Sequence, residues 1–292
     1  MRVGILLGLC LTLGACGKPR AESGPPTRGL EVSYGVEAMR PREGFELTLK
    51  AEGLTRLTLR RPWRGEQGGA VGFFAVRPKP EERSAIERVV RDHSLLDRDD
   101  EPGFTAEGSG HLRLAHGARR AEVSLLGSDE GMKSLRLLLD GLIESARQRP
   151  LAALKLAARA RVDGPNAVVD AALVHQGVRP LELAVYEPKL PDGTLTLRVV
   201  FERAGRLSDE RFVSREDLAK LVGRKKLPAG WHALPPGERL VIELPLVRLP
   251  AAPEELTVRV EATVLARLGA EKAELSLSSA AAPLEPEAPA EE

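Results

Sequence analysis

Cysteine is nearly missing from this 292-residue chain: Cys10 and Cys16 are the only two, both near the start. Past residue 16 there is nothing for a disulfide, a thiolate nucleophile or a cysteine-ligated metal, so the body must be stable by core burial alone. Aromatic residues are 3% of the chain. That leaves Leu, Val and Ala to fill the core, and few rings for a sugar platform or a base-stacking surface. Charge of one sign is also lacking. Lys and Arg number 43 against 42 Asp and Glu, a formal charge of +1, without the basic excess of a nucleic-acid binder. No apolar run is long enough to stay in a bilayer. The leading one, Val3 to Leu13, falls short of the roughly 20 residues a spanning helix needs, and Gly4 and Gly8 weaken it as a lasting helix.

Motifs of catalysis are absent as well. There is no phosphate loop, no Gly-x-Gly-x-x-Gly and no His-Glu-x-x-His. The nearest approach to a serine-hydrolase elbow, Gly108-Ser109-Gly110, is preceded by Glu107. The five histidines, His93, His111, His116, His175 and His232, lie apart. His111 and His116 flank one hairpin turn, too loosely for a metal pair. Asp97, Asp99, Asp100 and Glu101 form the densest acidic cluster, but Arg98 interrupts it and the spacing is not that of a calcium loop. No catalytic residue, cofactor or metal is therefore expected, although carboxylates brought together only by folding would escape such a search.

What is present begins with MRVGILLGLCLTLGACG. Arg2 is a positive n-region, Val3 to Leu13 an apolar h-region, and Leu13-Gly14-Ala15-Cys16 closes it with small residues before a cysteine. This is the layout of a secretory signal, and Leu-Gly-Ala-Cys resembles the lipobox of bacterial lipoprotein precursors. The resemblance implies cleavage between Ala15 and Cys16, lipidation of the Cys16 sulfur and acylation of the new N-terminus. Several acyl chains hold firmly where one does not, so membrane lipid is the first expected partner. Gly17, rather than Asp, follows the cysteine, which by the same resemblance implies sorting to the outer membrane, facing the periplasm or the cell surface. Residues 16–29, rich in Pro, Gly and polar side chains, read as a flexible tether.

The body divides near residue 150. Residues 30–150 read as an α+β domain, an antiparallel sheet with two helices. Period-two strands at 30–34, 45–49 and 57–59 and an apolar run at 72–76 precede a helical stripe over 81–96. A hairpin over 110–126 follows, then a second helix capped by Ser128 with Met132, Leu135, Leu139, Leu142, Ile143 and Ala146 on one face. Helices of this order should cover one face of the sheet. Residues 151–279 carry about seven short strand patterns separated by Asp163-Gly164-Pro165-Asn166, Pro191-Asp192-Gly193 and Pro235-Pro236-Gly237-Glu238. This half resembles bacterial Ig-like β-sandwich modules, with the Pro-Gly-Glu turn ahead of a long strand carrying the likeness and a short helical insertion near 214–223. Each half has enough apolar residues for a core of its own. Residues 280–292, acidic and Ala/Pro-rich, read as a disordered tail.

Two tryptophans stand out. Trp63, in Arg61-Pro62-Trp63-Arg64, is an exposed anchor or a core plug. Arg224, Lys225, Lys226 and Trp231 follow the inserted helix and form either a patch for an anionic partner or a helix end whose cations complement the dipole. The function expected is a membrane-anchored cell-envelope lipoprotein that is not an enzyme and acts by contact with an envelope protein or as a structural module. The alternatives are an envelope hydrolase with a site of dispersed residues and a periplasmic ligand-binding lipoprotein that uses the cleft between its domains.

Overall fold

Alternation of apolar and polar residues builds the first half. In β1 (Thr27–Glu37), β2 (Gly44–Leu49), β3 (Thr55–Leu59) and β4 (Val71–Val76) each strand is antiparallel to the one before it. β6 (Gly108–Gly117) runs along the other edge of β1 and turns at Gly117 (φ +62) into β7 (Arg119–Ser124), while the short β5 (Phe104–Thr105) pairs with the start of β6. The registers place Val123, Leu112, Tyr34, Leu47, Leu57 and Phe74 in one row across six strands. Side chains of paired residues share a face, so the row is a continuous apolar stripe. The structure, a computed structural model, describes residues 27–37, 44–98, 104–105, 108–124, 129–186, 195–224, 226–244 and 247–286. The cleavage pair Ala15 and Cys16, most of the tether and Lys225 lie outside them.

Two helices cover that stripe. α1 (Pro80–Asp92) starts with Pro80 at its first position and with Glu82 accepting from the Lys79 amide at 2.8 Å. It ends sooner than its apolar spacing predicts, because Ser94 turns left-handed (φ +50) into a 3-10 turn over Leu95–Asp97. Leu95 is thereby sunk in the core while Leu96 is only partly covered. α2 (Glu130–Arg147) is capped by Asp129, one residue beyond the expected Ser128, and Asp129 accepts from the Met132 amide at 3.0 Å. The Arg98 guanidinium on its other oxygen, 2.8 Å away, holds the Asp129 carboxyl down to about 2. Met132, Leu135, Leu139, Leu142, Ile143 and Ala146 are all buried in one cluster with α1 and the sheet, as the stripe predicts.

The second half is built from long antiparallel strands. β8 (Pro150–Asp163) and β9 (Asn166–Gly177) form a hairpin closed by Gly164 (φ +55) and Pro165. Along β9 lie β14 (Arg239–Glu243) and β15 (Val247–Arg248). β16 (Leu256–Leu268) organises the other strands. β11 (Thr196–Arg203) and β10 (Leu181–Tyr186) follow each other along one of its edges, and β17 (Glu271–Ser278) lies along the other. β12 (Arg206–Phe212) extends from β11 and β13 (Gly230–Leu234) from β10. α3 (Arg215–Gly223) bridges β12 and β13, capped by Ser214, whose Oγ accepts from the Asp217 amide. Its Leu218 and Leu221, with Leu227 beyond it, sink into the core between these strands. The chain is thus rich in strand, with three helices among the described residues.

Strand β4 belongs to both cores. It pairs with β3 on one edge and with the start of β8 on the other. Val71 and Phe73 pack into the cluster of the second half, Phe74 and Val76 into that of the first. Gly72 faces Ala152 so closely that an added Cβ would lie 2.6 Å from its carbonyl oxygen. Farther along β8, β18 (Ala282–Glu285) pairs in parallel with it and antiparallel with β16. Those four residues fall in the stretch whose composition reads as a disordered tail. A Pro-containing strand survives there because it borders two strands only briefly and leaves alternate side chains outward.

Candidate interaction surface

The chemistry-bearing residues are scattered. His116, Ser94 and Asp97 border one recess of about 320 Å³ between α1 and the β6–β7 hairpin. No hydrogen bond joins their side chains, and Asp97 is held by Arg119. His111 lies elsewhere, its Nε2 3.4 Å from the Ser33 hydroxyl. Asp99, Asp100 and Glu101 lie outside the described residues, among which no three His, Cys, Asp or Glu side chains converge to hold a metal ion. Trp63 is a plug. Its ring meets Phe45 edge-on at 4.9 Å, Phe45 meets Tyr34 at 5.0 Å, and the indole N–H donates to Glu144 at 2.7 Å. Burial, reinforced by the Asp140 carboxylate that its hydroxyl meets at 3.3 Å, pushes the Tyr34 phenol up to about 12.

His175 is the buried histidine. Its Nδ1–H donates to the Pro235 carbonyl at 2.9 Å, and its Nε2 has no partner in the structure. Burial holds its imidazole below the usual histidine range. An unfolded histidine takes a proton near pH 6.5, so below that pH the unfolded chain binds more protons than the folded one. Stability from His175 is therefore complete above about pH 6.5 and is lost as pH falls through the lower folded value. Denaturation midpoints between pH 8 and pH 5 should fall in the wild type and fall less in His175→Asn, whose amide can replace the Nδ1 donor. Parallel profiles would refute this assignment.

The basic patch resolves into separate contacts. Arg224 caps α3 through its backbone, and Lys226 pairs with Glu243 at 3.0 Å. Trp231, half-buried on β13, takes its cations from elsewhere: Arg267 lies 4.4 Å and Lys272 5.9 Å from its ring centroid. Arg267 also forks onto Glu182 at 2.5 and 2.9 Å and holds that carboxyl below its usual range.

The most organised polar surface lies on the outer face of β12, β11 and β16. Period two puts Arg198 and Glu202, Glu210, and Arg259 and Glu261 there, opposite the buried Val199, Phe201, Val258 and Val260. The five charges interlock. Arg198 donates to Glu210 at 2.8 Å and to Glu261 at 2.9 Å, and Arg259 donates to Glu261, to Glu202 at 3.1 Å and to Ser278 at 3.2 Å. Burial opposes the Arg259 charge, but hydrogen bonds to Glu261 and Glu202 carry its pKa above the ordinary value. Cross-strand pairs of this kind are each worth about 0.2–1 kcal/mol, so the ladder specifies register more than it adds stability. Phe212, 70% exposed, and Leu207, 64% exposed, stand on β12 beside it, with Arg198 over the Phe212 ring. Among the described residues β12 pairs only with β11, and no described strand lies along its outer edge.

No protein-family model matches this chain, and no curated protein matches it either.

Proposed function

We propose that the chain is a lipid-anchored cell-envelope protein that works by contact with another envelope protein. The anchor reading rests on Leu13-Gly14-Ala15-Cys16 and its likeness to a lipobox. The contact reading rests on one observation, the edge of β12 along which no described strand lies, where Phe212 and Leu207 flank an ordered charge ladder. Apolar side chains beside a polar rim are how transient interfaces are composed, and an open edge can accept an extended segment of a partner. In architecture we propose an α+β unit followed by an Ig-like sandwich, with β8, β9 and β14 facing β10, β11, β16 and β17. The shared membership of these strands in one apolar cluster supports that arrangement. No helix among the described residues is long and apolar enough to cross a membrane, and none is needed with acyl chains on Cys16 facing the outer-membrane lipid.

Two measurements test the proposal. Cys16→Ser should abolish fatty-acid labelling and release the protein from membranes, with the melting midpoint of the body unchanged, since the proposed tether would keep residue 16 apart from both cores. An unmodified N-terminal Cys16 in the wild type, by intact mass, would refute the anchor. For the contact, a photo-crosslinker at position 212 in intact envelopes should give a discrete adduct that one at exposed Val178 does not. Identical patterns at the two positions would remove β12 as the surface.

A further inference from the structure

We infer that the recess between α1 and the β6–β7 hairpin is a binding site for a small neutral amphiphile, an apolar chain ended by an uncharged hydroxyl or ester group. The recess exists because the helical cover of the sheet runs out there. The row of Leu30, His116 and Arg119 continues the inward face of β1, β6 and β7 one step past the buried Val32, Leu114 and Ala121. α1 ends at Asp92, and the left-handed Ser94 (φ +50) turns the chain so that Leu95 sinks into the core while Leu96 lines the recess. On the helix side Glu87, Val90 and Arg91 stand three and four residues apart and so share one face. The space left is about 320 Å³, at the small end of ligand pockets and room for about ten water-sized groups.

The lining distinguishes the two ends of such a ligand. Leu30 and Val90, both buried, and the partly covered Leu96 make an apolar floor. The charges around it balance, Glu87 and Asp97 against Arg91 and Arg119. Arg119 holds Asp97, Arg91 donates to Asp92 at 3.2 Å, and Glu87 lies one helical turn from Arg91. No charge is left over to offset the desolvation of a charged head group. The Ser94 hydroxyl and the His116 imidazole, by contrast, carry no hydrogen bond among the described residues. Together they can donate and accept, which suits a hydroxyl or ester. Both depart from the local pattern. His116 stands where the alternation of β6 calls for an apolar residue after Leu112 and Leu114. Ser94 holds a backbone conformation that costs a non-glycine residue energy and that gathers at functional sites. This site lies apart from β12 and does not rest on the contact reading.

The test is fluorescence titration of the full chain carrying Cys16→Ser, which keeps any acyl group of its own out of the assay, with N-phenylnaphthylamine as the reporter. Saturable enhancement is expected, and monooctanoylglycerol should displace the reporter. Octanoate and octylammonium should displace it at least about tenfold less well, because their charged heads must shed water without gaining a partner. His116→Phe and Ser94→Gly should each weaken monooctanoylglycerol by about twofold to tenfold, the loss of one hydrogen bond. Ser94→Gly should at the same time raise the melting midpoint, since glycine takes the left-handed conformation without strain, so weaker binding there cannot come from a loosened fold. Absence of saturable enhancement, octanoate displacing as well as the neutral ester, or either variant binding like its parent would overturn the site.

Discussion

Leu139→Asp should leave the first half of the chain unfolded. Leu139 lies in the middle of the α2 stripe and has no exposed surface, packed with Leu135, Leu142 and Ile143 over the sheet row that runs through Tyr34 and Leu57. An aspartate there would bury a carboxylate with no partner, which the fold can accommodate only by opening. Leu139→Ala removes the same side chain without adding charge and should cost about 2–5 kcal/mol, a large share of the roughly 5–15 kcal/mol by which a domain is stable. Two positions earlier on the same helix, Leu137 is 75% exposed. Leu137→Asp should change stability by no more than about 0.5 kcal/mol, which makes it the control for helix propensity and added charge. Circular dichroism melts of the three variants decide the matter. A Leu139→Asp protein with the wild-type midpoint would mean that the stripe is not covered in solution.

That stripe was legible because helical spacing is a local property. So were most of the strands, where period-two residues such as Leu30, Val32 and Tyr34 or Leu57 and Leu59 face one core. The failures have physical causes. β12 carries Arg, Ser, Asp and Glu over most of its length, since it is an edge with solvent on both faces, and so lacks the apolar half of the pattern. β13 is five residues with one buried side chain. α1 stops early because Ser94 takes a left-handed turn that no apolar spacing announces. β18 is held by neighbours on β8 and β16, far from it in the chain.

The surfaces were less legible than the elements, because their partners come from remote strands. Arg224, Lys226 and Trp231 stand close in sequence, yet Lys226 finds Glu243 and Trp231 finds Arg267. Arg259 and Glu261 alternate with valines, which marks an outward face, but nothing local says that Arg198 and Glu202 of β11 will lie beside them.

Separating the chain at residue 150 should destabilise both pieces. The change of composition and Pro150 mark a boundary in the sequence, but β4 lies before it and pairs with β8 after it, and Val71 and Phe73 of β4 fill the core of the second half. A piece beginning at 151 loses those two side chains, each worth about 1.5–3 kcal/mol when fully buried, and bares Ala152 and Leu154 where β4 had covered them. A piece ending at 150 keeps its helices and its apolar row yet exposes Phe73 and the unpaired edge of β4, which invites association between copies. The intact body should therefore melt in a single transition, and pieces 27–150 and 151–286 should each melt lower than it, by about 3–6 kcal/mol for the second piece. Mixing equimolar pieces should recover part of the lost midpoint, because the β4–β8 pairing can reform between chains. Scanning calorimetry of the whole, of each piece and of the mixture measures all four. Two pieces that keep the midpoint of the intact chain, with no gain on mixing, would show that β4 couples nothing and that the halves are independent units.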